Sequence, residues 1–205
     1  APLREVRDQV DVGLHLDFTS PMACAAGHGR SLGALMLRCT WPLDTALQQQ
    51  WRTAIERQCD AFEQHWQQAP DHLDGHQHVQ QFAGLRELLL AVLTRRYNKR
   101  PWLRVSRVAQ SGLKPAIIRL WGAGPWQQQL QAAGWLGVGP LRGAYGFDGG
   151  EQAYAQRMGQ WLQAARADGG LVMCHPAQQV VSDDPIGAAR AWEYAYLSSD
   201  AFAHD

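Results

Sequence analysis

Lysine is almost missing from this chain: Lys99 and Lys114 are the only two in 205 residues, and arginine supplies the remaining basic side chains. Nineteen basic residues offset nineteen acidic ones, so the formal net charge is zero. That balance argues against a general nucleic-acid or anionic-membrane binder, whose affinity rests on accumulated positive charge. No apolar run approaches the ~20 residues needed to cross a bilayer. No basic stretch followed by an apolar one opens the sequence, so no signal peptide is expected. The four cysteines, Cys24, Cys39, Cys59 and Cys174, form no CxxC pair. A disulfide framework and a zinc knuckle are both disfavoured, and a reducing cytoplasm is the simpler expectation. GxGxxG and GK[ST] are absent too, so there is no nucleotide fingerprint. No internal repeat and no Pro/Gly/Ser linker divides the chain, which is expected to form one domain over 1–205.

What is present is a 46% hydrophobic chain, long enough for a sizeable core. Val10 to Phe18 reads as a strand running into a loop at Thr19-Ser20-Pro21. Residues 22–40 carry no clean period and read as loop with one short helix. Over 44–68, Leu47, Trp51, Ile55, Phe62 and Trp66 recur at helical spacing, with Asp44 or Thr45 as cap and Pro70 as stop. Residues 71–79 read as a strand, 82–97 as a helix and Trp102 to Val105 as a short strand. Further strands are expected at 116–120, 136–138 and 170–174, and helices at 125–134, 151–167 and 185–197. This alternation implies an α/β fold with a mainly parallel sheet, open or closed into a barrel.

Five of the eight histidines fall in three short segments. The densest is Asp71-His72-Leu73-Asp74-Gly75-His76-Gln77-His78-Val79. On an extended strand, His72, Asp74, His76 and His78 share one face. Three imidazoles and a carboxylate on one surface suit a metal site or a proton-transfer site. An Asp beside a His can also hold the ring and fix which nitrogen is exposed. His15 and Asp17 share a face of the first strand, although a lone His in an apolar strand is more often a core residue. His175 follows an apolar strand and precedes Pro176, at the strand end where α/β folds place their chemistry. Alternation turns Cys174 the other way, as a packed thiol. Arg104 and Arg107 can hold an anionic or sugar ligand. In the Gly143-to-Gly150 loop, Tyr145, Phe147 and Asp148 can meet a sugar ring.

Taken together, Gly13-Leu14-His15-Leu16, His72-Leu73-Asp74-Gly75-His76-Gln77-His78-Val79 and Met173-Cys174-His175-Pro176 resemble the YdjC-like family of carbohydrate deacetylases, of the chitooligosaccharide deacetylase type. Pro101-Trp102-Leu103-Arg104 and the Tyr145-to-Gly149 loop look similar as well. The resemblance implies a (β/α) barrel of the polysaccharide-deacetylase kind and a divalent metal held by one Asp and two His. Here the two His map to His15 and His76. It also implies removal of acetyl groups from N-acetylated sugars, with His175 as an acid near the leaving amine. The metal is magnesium by the resemblance and zinc by ligand chemistry.

Members carry an Ala-Asp-Asp-Phe-Gly-like strand before the GLHL strand. This sequence opens at Ala1-Pro2-Leu3 without it, so the resemblance is to an N-terminally truncated member, its barrel short of the first strand and helix. Gln80 stands where many members have a further His. Two His without that carboxylate make a weak site, with Asp17 or Asp74 as substitutes and loss of activity as the simpler outcome. The expected assignment is His15 and His76 on the metal, Asp74 as orienter, and His175 as acid. His78, Arg104, Tyr145 and Asp148 are expected to contact the sugar. The expected partner is a small-molecule sugar, with no nucleic acid and no membrane; a homo-oligomer is left open. The alternatives are a non-catalytic sugar- or metal-binding protein on the same scaffold, and a metal-dependent amidohydrolase with a non-sugar substrate.

Overall fold

The computed structural model describes residues 2–107, 122–181 and 183–204. Among them the chain falls into two compact units. One runs through Ser106 and resumes in the segment that ends at Val138; the other takes Arg107 and everything from Gly139 on. The strand expected at 116–120 lies outside the described residues. No described helix is long and apolar enough to cross a membrane.

The first unit is built on a parallel sheet in the order β1 (Leu14–Leu16), β2 (His72–Gly75), β3 (Trp102–Arg104), β4 (Gly137–Val138). Its helices are α1 (Pro2–Glu5), α2 (Pro21–Ala25), α3 (Leu32–Arg38), α4 (Thr45–Trp66), α5 (Leu85–Arg96) and α6 (Gly124–Ala132). The periodic segment 44–68 forms α4 as its spacing predicts. The Asp44 carboxylate accepts the Leu47 N–H at 2.9 Å, and the helix ends where Gln67 turns left-handed. Leu47, Trp51, Ile55 and Cys59 are buried against Leu16, Leu73, Leu89 and Leu103 in one core. Along β1 and β2 the residues alternate: Leu16 and Leu73 are buried in this core, while His15 is exposed and His72 and Asp74 are only half-buried.

Two expectations are corrected. The first strand is three residues long, not nine, because Asp17 takes the chain out of the ladder. Its carboxylate accepts the N–H groups of Thr19 and Ser20, each at 3.0 Å, and the Ser20 hydroxyl. Residues 22–40 hold two helices, not one. Ser20 caps α2 by accepting the Ala23 N–H at 3.1 Å, with Pro21 in the first turn. Ser-Pro is a start signal that the lack of periodicity obscured.

The second unit pairs β5 (Leu141–Arg142) in parallel with β6 (Leu171–Val172). Its helices are α7 (Gly150–Asp168), α8 (Gly187–Leu197) and α9 (Asp200–His204). Tyr154, Met158 and Trp161 of α7 pack with Tyr196 of α8 in an aromatic core. The protein is thus α/β, with parallel strands and many helices, an arrangement compatible with a barrel-like fold.

A polar clamp ties α5 to α4. The Arg96 guanidinium grips Glu63 at 2.8 and 2.9 Å, and the Tyr97 hydroxyl donates to the same carboxylate at 2.6 Å. Arg96, more than any other partner, holds Glu63 below the usual carboxylate range. A carboxylate depressed in the folded state contributes fully above its unfolded value, about 4.3, and loses that contribution as pH falls through the lower folded value. Thermal unfolding from pH 7 to pH 3 is expected to show less acid destabilisation in Glu63→Gln than in the wild type. The variant should be weaker by about 1 kcal/mol at pH 7; equal acid slopes would contradict this.

Candidate functional site

The parallel register places His15 of β1 opposite Asp74 of β2. His15 Nδ1 lies 2.6 Å from Asp74 Oδ1. The other Asp74 oxygen is in close contact with the Arg104 guanidinium on β3. Arg104, only 6% exposed, also donates to the Gly75 carbonyl at 2.7 Å and lies 3.4 Å from His78 Nδ1. Burial pushes the Asp74 carboxyl up. The hydrogen bond from His15 and the Arg104 charge outweigh it, and the net direction is down. Asp74 is therefore an anion at neutral pH, held between a buried cation and an imidazole whose side chain is 54% exposed. With Nδ1 taken by Asp74, His15 presents Nε2 outward.

The expected continuous strand over 71–79 stops at Gly75, and this corrects the idea that four polar side chains share one face. His76–Gln81 form a tight 3₁₀ turn in which Gln77 (φ 51°) and His78 (φ 64°) are left-handed. Such backbone costs on the order of 1–3 kcal/mol per residue and persists only when its surroundings enforce it. Gln80, fully buried, does so by donating to the Arg104 carbonyl and to Ser106 Oγ, both at 3.2 Å. Gly75 is required because a Cβ there would sit 2.8 Å from Gln80 Oε1 and 2.9 Å from Val79 Cγ2.

The turn sorts the histidines. His76 approaches His15, ring centres 5.7 Å apart at 76°. His78 goes to Arg104. His72 stacks on Trp102 at 4.4 Å, where burial lowers its pKa and keeps it neutral. Asp17 is held down by its bonds from Ser20 and Thr19 and by the charge of His76, against the opposing effect of burial. Its main chain is tied at both ends to Gln58, at 2.8 and 3.0 Å. The two imidazoles, one with its Nδ1 on a carboxylate, have the donor chemistry of a divalent-ion site. Among the described residues, no group of three or more His, Cys, Asp or Glu is arranged to hold an ion. The fit is thus to a two-imidazole donor pair.

In the second unit, His175 follows β6. Its main-chain N–H donates to Glu193 of α8 in a very short hydrogen bond, and its Nδ1 lies 4.0 Å from Glu193. The Tyr145 hydroxyl donates to Glu193 at 2.7 Å. Asp148 pairs with Arg157 at 2.8 Å, and that guanidinium lies over the Tyr145 ring. Cys174 is exposed as a residue, but its thiol is partly desolvated, and this, followed by the Glu193 charge, pushes it up, away from an activated thiolate. Glu193 itself escaped the sequence reading. Its signal was a lone acid among Trp192, Tyr194 and Tyr196 on one helix.

Parallel strands that bring one carboxylate-backed imidazole, His15, beside a second, His76, define the class as an α/β protein with a polar site on its sheet. The chain belongs to the YdjC-like protein family, whose profile matches residues 1–205, the whole chain. Membership implies a carbohydrate deacetylase-like role, that of a hydrolase. A search of curated proteins gives no significant match.

Two substitutions test this geometry through urea unfolding. Gly75→Ala is expected to cost about 1–3 kcal/mol through overpacking against Gln80 and Val79. Arg104→Met leaves Asp74 without its buried counter-charge and is expected to cost about 3 kcal/mol. A loss under about 0.5 kcal/mol in either would contradict the packing or the pairing described.

Proposed function

We propose that this protein hydrolyses the acetamide of an N-acetylated sugar, of the chito-oligosaccharide type, on a barrel of the polysaccharide-deacetylase kind. The observation that carries the reading is the approach of His15 to His76 with Asp74 holding the His15 ring. His15, through Nε2, and His76 would hold a divalent ion, magnesium by family and zinc by donor type. When bound, such an ion acidifies water and polarises an amide carbonyl. Asp74 fixes the His15 tautomer, and Arg104 keeps Asp74 charged. Asp17, an anion near His76, is the carboxylate on hand to accept a proton. His175, in the second unit, takes the role of acid toward the departing amine on the family resemblance alone. His78, Tyr145 and Asp148 are the candidate sugar contacts. Arg104 was expected among them, but its guanidinium is engaged by Asp74 and Gly75, so here it supports the site from behind.

One observation favours a second reading. With two donors and no three-residue ligand group among the described residues, a protein that binds the ion or the sugar without turnover is the alternative. Acetate release from diacetylchitobiose, set against simple acetamides and after loading with zinc or magnesium, separates the readings. Deacetylation is expected in the wild type, and His76→Ala is expected to lose at least about 100-fold. Ion uptake by calorimetry with no acetate release would favour the binding protein. Turnover unchanged in His76→Ala would overturn the hydrolase site.

A further inference from the structure

The second unit holds a carboxylate that the proposed chemistry does not use. Glu193 is 0% exposed, and a buried acid persists only when its acceptor capacity is filled. It accepts from the main-chain N–H of His175 and from the Tyr145 hydroxyl at 2.7 Å. One turn earlier on the same face of α8, Arg190 donates to the His175 carbonyl at 3.2 Å. The Arg190 carbonyl in turn accepts the Ala177 N–H at 3.2 Å, and its guanidinium is steadied by Asp184 at 2.6 Å. Thus α8 grips both main-chain groups of His175. On the other side, the Phe147 ring meets His175 edge-on at 5.4 Å and Tyr145 at 4.8 Å. Phe147 is left-handed (φ 57°), a conformation a bulky residue adopts only under constraint.

We propose that Glu193 is a positioning residue: its carboxylate locks the His175 main chain and the Tyr145 hydroxyl into one arrangement, so that the imidazole is presented at a fixed angle against Phe147. Any buried carboxylate must collect several donors; what distinguishes Glu193 is which segments they come from. This one joins the strand end that carries His175 to the loop that carries Tyr145 and Phe147, and does so at close charge range to the ring. Burial, then the bond to Glu193, pushes the Tyr145 phenol up, so it stays a donor at neutral pH. The inference rests on the reading that His175 donates a proton to the leaving amine.

The test uses the full chain and four proteins: wild type, Glu193→Gln, Tyr145→Phe and His175→Gln. The His175 ring signals are assigned in NMR spectra by their loss in His175→Gln. Diacetylchitobiose turnover is resolved into kcat and KM. Glu193→Gln is near-isosteric, so a cooperative thermal transition is expected. Its His175 signals should shift, and kcat should fall by about 10-fold or more with KM within twofold, as misplacement of a reacting group predicts. Tyr145→Phe leaves the carboxylate in place and removes one donor. It should move the His175 signals in the same direction by less, and it carries the test if Glu193→Gln does not fold. Unchanged His175 signals in the folded variant overturn the inference whatever the activity does. So does a kcat retained within twofold in an active background. A wild type that releases no acetate defeats the deacetylase reading alone, and the NMR comparison still decides the role of Glu193.

Discussion

The site in the first unit depends on one buried ion pair, Arg104 with Asp74. Removing two charges from water costs several kcal/mol per ion, and mutual attraction recovers this only when the remaining donors and acceptors are filled. Here they are. Asp74 spends its other oxygen on His15, and Arg104 spends a second nitrogen on the Gly75 carbonyl. The Arg104 carbonyl accepts from Gln80 and from the Trp126 indole at 3.1 Å. One residue therefore ties β3 to β2, to the histidine turn and to α6. A hydrophobic pair of equal volume fills the same space without setting the angle of an imidazole, whereas the ion pair sets it.

The parallel register turns that pair into a site. His15 and Asp74 are neighbours because β1 and β2 run the same way with Leu14 beside Leu73. A slip of one residue would send His15 to the opposite face. Beyond Gly75 the chain folds back at once, with two left-handed residues in succession, and so delivers His76 to His15 and His78 to Arg104. The strain at Gln77 and His78 is bounded by the fully buried Gln80 and by a glycine that admits the close approach. A flexible loop would reach the same place but not hold it.

Much of this was legible in the residues. The long amphipathic helix, its Asp44 cap and the alternation of short apolar strands with helices follow from periodicity and flanking signals. Asp74 was expected to orient a His, but that the His is His15, 59 residues away in sequence, is decided by the parallel register of β1 and β2. The turn at His76 was misread for a physical reason. Glutamine has no preference for left-handed backbone and histidine only a minor one, so tertiary hydrogen bonds from Gln80 impose what local propensity does not announce. Glu193 was missed because helix periodicity treats an acid as an exposed position. Its burial is decided by donors from Tyr145 and His175, 48 and 18 residues away in sequence.

The two units repeat one device with a difference that matters chemically. In each, a carboxylate out of solvent stands behind an imidazole. Asp74 meets the ring nitrogen of His15 at 2.6 Å, whereas Glu193 takes the main-chain N–H of His175 and stays 4.0 Å from its Nδ1. A carboxylate at hydrogen-bond distance commits the ring to one tautomer, with the opposite nitrogen offered as a lone pair. That is the condition for an electron-pair donor that must not wander. A carboxylate that grips the backbone fixes where the ring is. That is the condition for a group that must gain and lose a proton without moving. The geometry of each carboxylate thus suits the role proposed for its histidine, electron-pair donor for His15 and acid for His175.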